Sequence, residues 1–405
     1  MSAKVEPGGD VDSGRSHAEL LEILASLRTT APAVAKAGDE TIAGRLYLAA
    51  LAEGGWYFPA WPAEFGGRGA GKEESAQIKG LIRSAPAPDL YPFFVGLHMV
   101  GLTLMEYGDD SQRRRWMPHI ADGSEIWCQM FSEPGAGSDL ANVSTRATRT
   151  KNGWKLDGQK VWTSRGAYAD FGLCLTRTNP NVPKHDGLTM FVVPMRAVGV
   201  NVRPLHQMNG DDHFSEVFLD AVEVADSDRI GGEGDGWKIA HSVLALERSS
   251  IGAGGSASAG KVQQGGTNVP EWLQVAASSG QLDDPVRMNA AIRVYVAAEV
   301  ARLTSRRAVA RVKSTGKPGP EGSGQKLRQA NVAKQRAYLM KDLQGAEGML
   351  TRHRGHDAAM TAPSLSLRGG TDEIQRNIVA ERVLGLPPEP RLDRDVPWST
   401  DRRDS

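Results

Sequence analysis

The sequence predicts an α+β fold: an N-terminal helical domain, a middle domain of β-barrel or sandwich type, and a C-terminal helical bundle. Three observations carry this. Apolar residues recur at helical spacing to about Asp122, alternate with polar ones after Ile126, and return to helical spacing from Trp237 to about Val383. At 405 residues the chain can bury several cores, and roughly two to three domains is the natural division.

Residues 1–14 are polar and glycine-bearing and read as a mobile tail. Within 15–125, Leu20, Leu21, Ile23, Leu24 and Leu27 form one apolar stripe, and Ile42, Leu46, Leu48 and Leu51 form another. Gly54-Gly55-Trp56 and the loop from Trp61 to Gly67 punctuate this region. A further helix runs from Phe94 to about Tyr107. His98 within it reads as a packing or hydrogen-bonded residue, because no partners for catalysis accompany it.

Residues 126–230 form the β-domain. Val143 to Thr148 and Trp154 to Leu156 alternate in character. Phe171 to Leu175, Thr189 to Val193 and Phe214 to Leu219 read as further strands, separated by glycine, asparagine and proline turns. Gly231 to Gly236 then breaks the chain as a linker. A phosphate-loop reading lacks a preceding strand and a lysine/serine pair. Residues 231–388 are helical, ending at Gly385 and Pro387-Pro388. Residues 389–405 read as a loose charged tail.

Composition excludes several classes. Acidic and basic residues balance at 48 each, leaving no global field for nucleic acid or an anionic membrane. No apolar stretch has membrane length and no signal-peptide region opens the chain. Cys128 and Cys174 are the only cysteines and read as buried thiols, which fits a reducing cytoplasm. No His/Cys cluster has metal-ligand spacing, so no metal is expected.

The chemistry concentrates in two segments, Phe131-Ser132-Glu133-Pro134-Gly135-Ala136-Gly137-Ser138-Asp139 and Lys160-Val161-Trp162-Thr163-Ser164. A strand ends at Phe131-Ser132, and the glycine-rich turn after it exposes backbone amides. Glycine permits positive φ and close approach, and consecutive amides form an anion-binding nest. Trp162 offers an aromatic face for a planar ring. Hydroxyls, amides and an indole thus surround the place of a flat, anionic ligand.

These segments, with Gly158-Gln159 ahead of Lys160, resemble the flavin-cradling region of acyl-CoA dehydrogenases, and the resemblance extends from about Trp56 to Pro387. It implies two helical domains flanking a β-domain, with FAD at their junction, an acyl-CoA substrate and an electron-transfer flavoprotein as electron acceptor. Asn142 stands where the family has a small residue, and Phe131 replaces a smaller aliphatic. By resemblance Gln129, Phe131, Ser132, Ser138, Trp162, Ser164, Thr371 and Glu373 contact the cofactor. Ser138 also lies near the thioester, and Arg248 is directed to the CoA moiety.

The family reaction removes a proton beside the thioester carbonyl and passes a hydride from the next carbon to flavin N5. In many members the base lies two residues before the threonine of the final motif. Here that motif is Arg368-Gly369-Gly370-Thr371-Asp372-Glu373, so the position is Gly369, which has no side chain. Its backbone N–H matches the family donor to the thioester oxygen. Helical spacing puts Trp237, Ala240, Leu244 and Glu247 on one face. A carboxylate on an apolar face should be pushed toward the range of a useful base. A salt-bridged Glu247 is the alternative from periodicity. The resemblance favours Glu247 as general base, because isovaleryl-type and long-chain-type members carry theirs at the matching Glu-Arg pair.

Self-sufficient family tetramers complete the flavin site with a neighbour's arginine followed by Phe-Gly, and with a later Gln-x-x-Gly-Gly. Here these regions read Thr267-Asn268-Val269-Pro270-Glu271-Trp272-Leu273-Gln274 and Gln344-Gly345-Ala346-Glu347-Gly348, lacking both features. A diphosphate-binding arginine is hard to replace with backbone alone. The pattern resembles actinobacterial heteromeric acyl-CoA dehydrogenases of steroid side chains, as does the segment from Gly319 to Leu327. It implies a related partner subunit in an α2β2 assembly. The glycine run from Ile251 to Gly260 reads as volume vacated for a bulky acyl group, or as close packing or a loop. The alternatives are a homotetrameric branched- or long-chain enzyme and a non-catalytic scaffold subunit.

Overall fold

A computed structural model describes residues 13–34, 41–252, 271–278, 280–315, 319–350, 354–390, 393 and 395–401. Its N-terminal part contains α1 (Ser13–Val34), α2 (Ile42–Ala52), α3 (Lys72–Ser84), α4 (Gly101–Tyr107) and α5 (Asp110–Ala121). Leu20, Leu24 and Leu27 are the buried face of α1, while Leu21 is exposed. The second stripe holds at Leu48 and Leu51, which are buried, but its first two positions are Ala43 and Tyr47, while Ile42 and Leu46 face out. Neighbouring helix positions differ by about 100°, so those two, assigned one residue early, turn away from the core.

A π-helical turn, Gly96–Val100, precedes α4 and carries His98. Asp109 and Gln112 close a reciprocal capping box that starts α5. Gly55 adopts φ +63°. Any Cβ there would overlap the carbonyl of Gly67, so the two loops touch only because this residue is glycine.

The β-domain comprises β1 (Trp127–Met130), β2 (Arg146–Thr150), β3 (Gly153–Ser164), β4 (Phe171–Arg177), β5 (Leu188–Pro194), β6 (Val200–Leu205), β7 (Phe214–Val224) and β8 (Arg229–Ile230). They form one eight-stranded mixed sheet of order β6-β7-β3-β2-β4-β5-β8, with β1 added alongside β4. Its two halves join at the Arg146–Arg177 pair. β6 escaped the sequence reading although Val200-Asn201-Val202-Arg203 alternates, because the pattern is short and Pro204 breaks it. β8, at two residues, is too short to show a period.

The largest core runs from the N-terminal helices through the sheet to Ile239, Ala240 and Val243 of α6 (Gly236–Gly252). Cys128 and Cys174 are buried in it as free thiols. Before α6, the glycine segment is a bonded cap: Gly232 N donates to Asp235 Oδ2 at 2.8 Å and Gly234 N to Thr189 Oγ1 at 3.1 Å. The short strand β8 does precede it, contrary to expectation.

The C-terminal part contains α7 (Glu271–Ser278), α8 (Pro285–Thr315), α9 (Glu321–Leu343), α10 (Arg354–Thr361) and α11 (Asp372–Arg382). α9 is central and packs on α6, α8, α10 and α11. Ala276, Ala291, Val294, Leu339 and Leu343 form a second, smaller core there. No helix among the described residues is long and apolar enough to cross a membrane.

One expectation fails beyond α11. The last described residues are docked rather than loose, and end in α12 (Trp398–Asp401). Trp398 Nε1 donates to Asn142 Oδ1 at 2.7 Å, and its ring lies 4.5 Å from the Arg177 guanidinium. Lys184 Nζ pairs with Asp393 at 2.6 Å. A charged composition suggested solvation, but one tryptophan with matched partners outweighs it.

Candidate functional site

β1 ends at Met130 and the chain turns at Ser132, which is half-buried. Glu133 and Ala136 exchange backbone hydrogen bonds of 3.0 Å each, closing a tight turn with Pro134-Gly135 at its tip. Neither Gly135 nor Gly137 takes a positive φ. The expected nest is therefore reduced, since two of the turn's amides are spent inside it. Gly137, Ser138 and Asp139 are exposed beyond it.

The Glu133 side chain points inward. Its Oε2 accepts from Ser144 N and Oγ at 2.7 and 2.8 Å, and its Oε1 accepts from Thr145 N at 2.9 Å. Lys160 Nζ donates to Oε1 at 2.8 Å and to the carbonyls of Phe131 and Leu175 at 3.1 and 2.6 Å. Burial alone would raise the Glu133 carboxyl. The Lys160 charge and these donors outweigh it and hold the group at about 2. Sequence reasoning missed this pair as a site element, yet a signal existed. Trp154, Leu156 and Lys160 share the inward face of β3, where a lysine requires a buried acid.

The downstream segment bulges. Lys160 pairs with Val217 and Thr163 with Ser215, so Val161 and Trp162 together oppose Glu216. Val161 N donates to the Ser132 carbonyl at 2.9 Å, tying this bulge to the turn after β1. Trp162 sits at φ +60° and is 59% exposed, its ring edge-on to Phe214 at 5.8 Å. A left-handed tryptophan costs on the order of 1–3 kcal/mol and persists only where its surroundings enforce it. Ser164 on β3 and Gln129 on β1 are half-buried. The Phe131 side chain belongs to the core, and its carbonyl serves Lys160.

The final motif forms a turn with φ +68° at Gly369 and +84° at Gly370. Thr371 Oγ1 caps α11 by accepting from Ile374 N at 3.2 Å. Gln375, fully buried, donates from Nε2 to the carbonyls of Gly369 and Gly370 at 3.1 and 3.4 Å. Among the described residues the amides of Gly369, Gly370 and Thr371 donate to no backbone carbonyl. Glu373 is exposed and pairs with Arg376 at 3.1 Å.

Glu247 lies one turn beyond the buried Val243 and is half-buried. α6 is anchored at Ser242, whose Oγ is 2.8 Å from Tyr107 Oη, and it packs on α9, β5 and the π-turn. Thus Glu247's helix and the Gly369 turn's helix share α9 as neighbour. His98 of the π-turn lies 5.0 Å from Phe94, and burial lowers its imidazole below the ordinary value. The Arg248 side chain, residues 253–260 of the glycine run and Thr267 to Pro270 lie outside the described residues. Gln344 closes α9, followed by Gly345 at φ +56°.

Three family models match in chain order: acyl-CoA dehydrogenase N-terminal domain at residues 25–124, middle domain at 128–222 and C-terminal domain at 234–384. The chain belongs to the acyl-CoA dehydrogenase family.

Acyl-CoA dehydrogenase FadE34 of Mycobacterium tuberculosis is 37% identical over 341 residues. That match covers 84% of this chain and 46% of FadE34, so the chain spans about half that relative's length. Acyl-CoA dehydrogenase IpdE1 of Mycolicibacterium smegmatis is 34% identical, with 84% of this chain and 87% of the relative covered. Among solved structures, the Tcur3481-Tcur3483 steroid ACAD superposes with TM-score 0.73 at 25% identity, over 92% of this chain and 98% of that one. The ChsE4-ChsE5 complex from Mycobacterium tuberculosis gives TM-score 0.66 at 29% identity, over 95% and 100%. This acyl-CoA dehydrogenase chain has the Glu133–Ala136 turn after β1, Trp162 on β3 and glycine at position 369.

Proposed function

We propose that this acyl-CoA dehydrogenase performs FAD-dependent α,β-dehydrogenation of a bulky, steroid-type acyl-CoA thioester, as the base-bearing subunit of a hetero-oligomer. The observation that carries the reading is Trp162, held exposed in a left-handed bulge that is bonded to Ser132. Half-exposed indole, two serine hydroxyls and the Gly369 to Thr371 amides, which donate to no backbone carbonyl among the described residues, fit a flat ring with anionic character. Ser132, Trp162, Ser164 and Thr371 would hold the flavin, with Gln129, Ser138 and Glu373 around it. Bound there, FAD supplies the hydride acceptor of the reaction.

The rest falls to this chain. Glu247 takes the proton from the carbon beside the thioester carbonyl, and the Gly369 N–H donates to the thioester oxygen as charge develops on it. Arg248 serves the CoA moiety. A related dehydrogenase-like subunit completes the flavin site in an α2β2 assembly, a reading supported by the two-component names of the structural relatives. Electrons leave to an electron-transfer flavoprotein. A cytoplasmic setting accompanies this reading, since both thiols are free and buried.

Co-expression with a related subunit should yield a yellow complex, whereas this chain alone should be flavin-poor. In that complex Glu247→Gln should retain flavin and lose turnover by at least about 100-fold. Undiminished turnover would remove Glu247 from the role, and full flavin in the isolated chain would remove the partner.

A further inference from the structure

The diglycine turn has an anchor that its function does not by itself require. Asp372, the first residue of α11, is 5% exposed. Its Oδ1 accepts from Lys326 Nζ of α9 at 3.0 Å, and its Oδ2 accepts from Ser366 Oγ at 2.8 Å. Lys334, also on α9, lies 3.6 Å from Oδ2 and donates to Ser366 Oγ. Ser366 precedes the turn and Asp372 follows it, so the pair bridges the loop's two ends and pins both to α9.

A second anchor works from inside. Gln375 Nε2 draws the carbonyls of Gly369 and Gly370 inward. In a trans peptide the N–H points opposite to the C=O, so the amides of Gly370 and Thr371 are turned outward. A Cβ at Gly370 would overlap Gln375 Nε2, so the glutamine occupies the space a side chain would need. Two successive glycines in left-handed backbone otherwise form the most pliable segment a chain can have. Pliable amides recognise an oxygen poorly, because pre-organised donors stabilise developing charge.

We propose that Lys326, Asp372, Ser366 and Gln375 form a positioning clamp that fixes the backbone of the Gly369–Gly370–Thr371 turn, and with it the Gly369 N–H that serves the thioester oxygen of the substrate. This deepens the dehydrogenase reading and rests on it. None of the four side chains touches the reacting atoms; each acts through the backbone of the turn.

The test uses the co-expressed complex with Gln375→Leu, which keeps volume and removes the donor. Lys326→Met/Asp372→Leu is the second variant, which removes the buried pair together and leaves the partly exposed Lys334 on Ser366. Two readouts are taken: tryptic cleavage at Arg368–Gly369, and the affinity ratio of a non-reactive acyl-CoA thioester over the thioether lacking the carbonyl. The clamp predicts cleavage about tenfold faster and a thioester preference reduced about tenfold, with the melting temperature of Gln375→Leu within a few degrees of wild type. Unchanged cleavage together with an unchanged preference overturns it. If the wild-type complex shows no thioester preference, the dehydrogenase reading fails, and the cleavage rate still decides whether the clamp holds the turn.

Discussion

Lys160 Nζ lies 2.8 Å from Glu133 Oε1 with both side chains closed to water, joining the turn after β1 to the bulge of β3. Removing either partner strands a charge inside the sheet. Lys160→Met or Glu133→Gln should cost about 3–5 kcal/mol in denaturant unfolding, while the double variant Lys160→Met/Glu133→Gln should recover much of it. Additive losses in the double variant would argue against coupling.

The same pair sets an acid limit. Glu133 is held at about 2 in the folded chain against an ordinary 4.5, so the unfolded state binds the proton more tightly. Its stabilisation is complete above about pH 4.5 and is lost as pH falls toward 2. Acid unfolding of wild type should therefore be steeper across that window than that of the double variant, as circular dichroism would report.

Glu125 works in the opposite sense. Burial, then the nearby Asp170 charge, raises its carboxyl to about 7. The folded state holds this proton more tightly, so its contribution is present below about pH 4.5 and is lost as pH rises through 7. Melting temperature measured from pH 5 to 8 should fall less in Glu125→Gln than in wild type.

Trp162 separates binding from stability. Because its backbone is left-handed and its ring exposed, Trp162→Gly should leave unfolding of the flavin-free chain within about 1 kcal/mol of wild type. Flavin retention in the complex should drop by at least about tenfold, read from absorbance after gel filtration. A large stability loss instead would mark the indole as a core residue.

The docked C-terminal segment carries its own prediction. Trp398→Ala removes both the Asn142 hydrogen bond and the stacking on Arg177. It should cost about 1–2 kcal/mol and speed cleavage of the segment 395–401 by a non-specific protease. A digestion pattern equal to wild type would mean the segment is held by its other contacts.

Much of the candidate site rests on local signals. Ser132, Trp162, Ser164 and Gly369 stand in short motifs, and Glu247 follows the helical period of Trp237, Ala240 and Leu244. Other features depended on distant partners. Glu133 looked like one more turn residue until Lys160 arrived from β3. Asn142 was noticed as a departure, but its purpose appears only with Trp398, and Gln375 and Asp372 acquire roles only once α9 lies against α11.

By itself the sequence determined the order helix, strand, helix, the glycine-rich turn at 131–139 with the Trp162 segment after it, and the absence of a carboxylate at position 369. Those follow from periodicity and residue chemistry, which act within a few positions along the chain. Only the tertiary structure decided which face of α2 is inside, that the glycine turn spends its amides on itself, and which lysines neutralise Glu133 and Asp372. Each of those depends on groups brought together from far apart in the chain, where burial makes a matched partner obligatory but no local pattern names it.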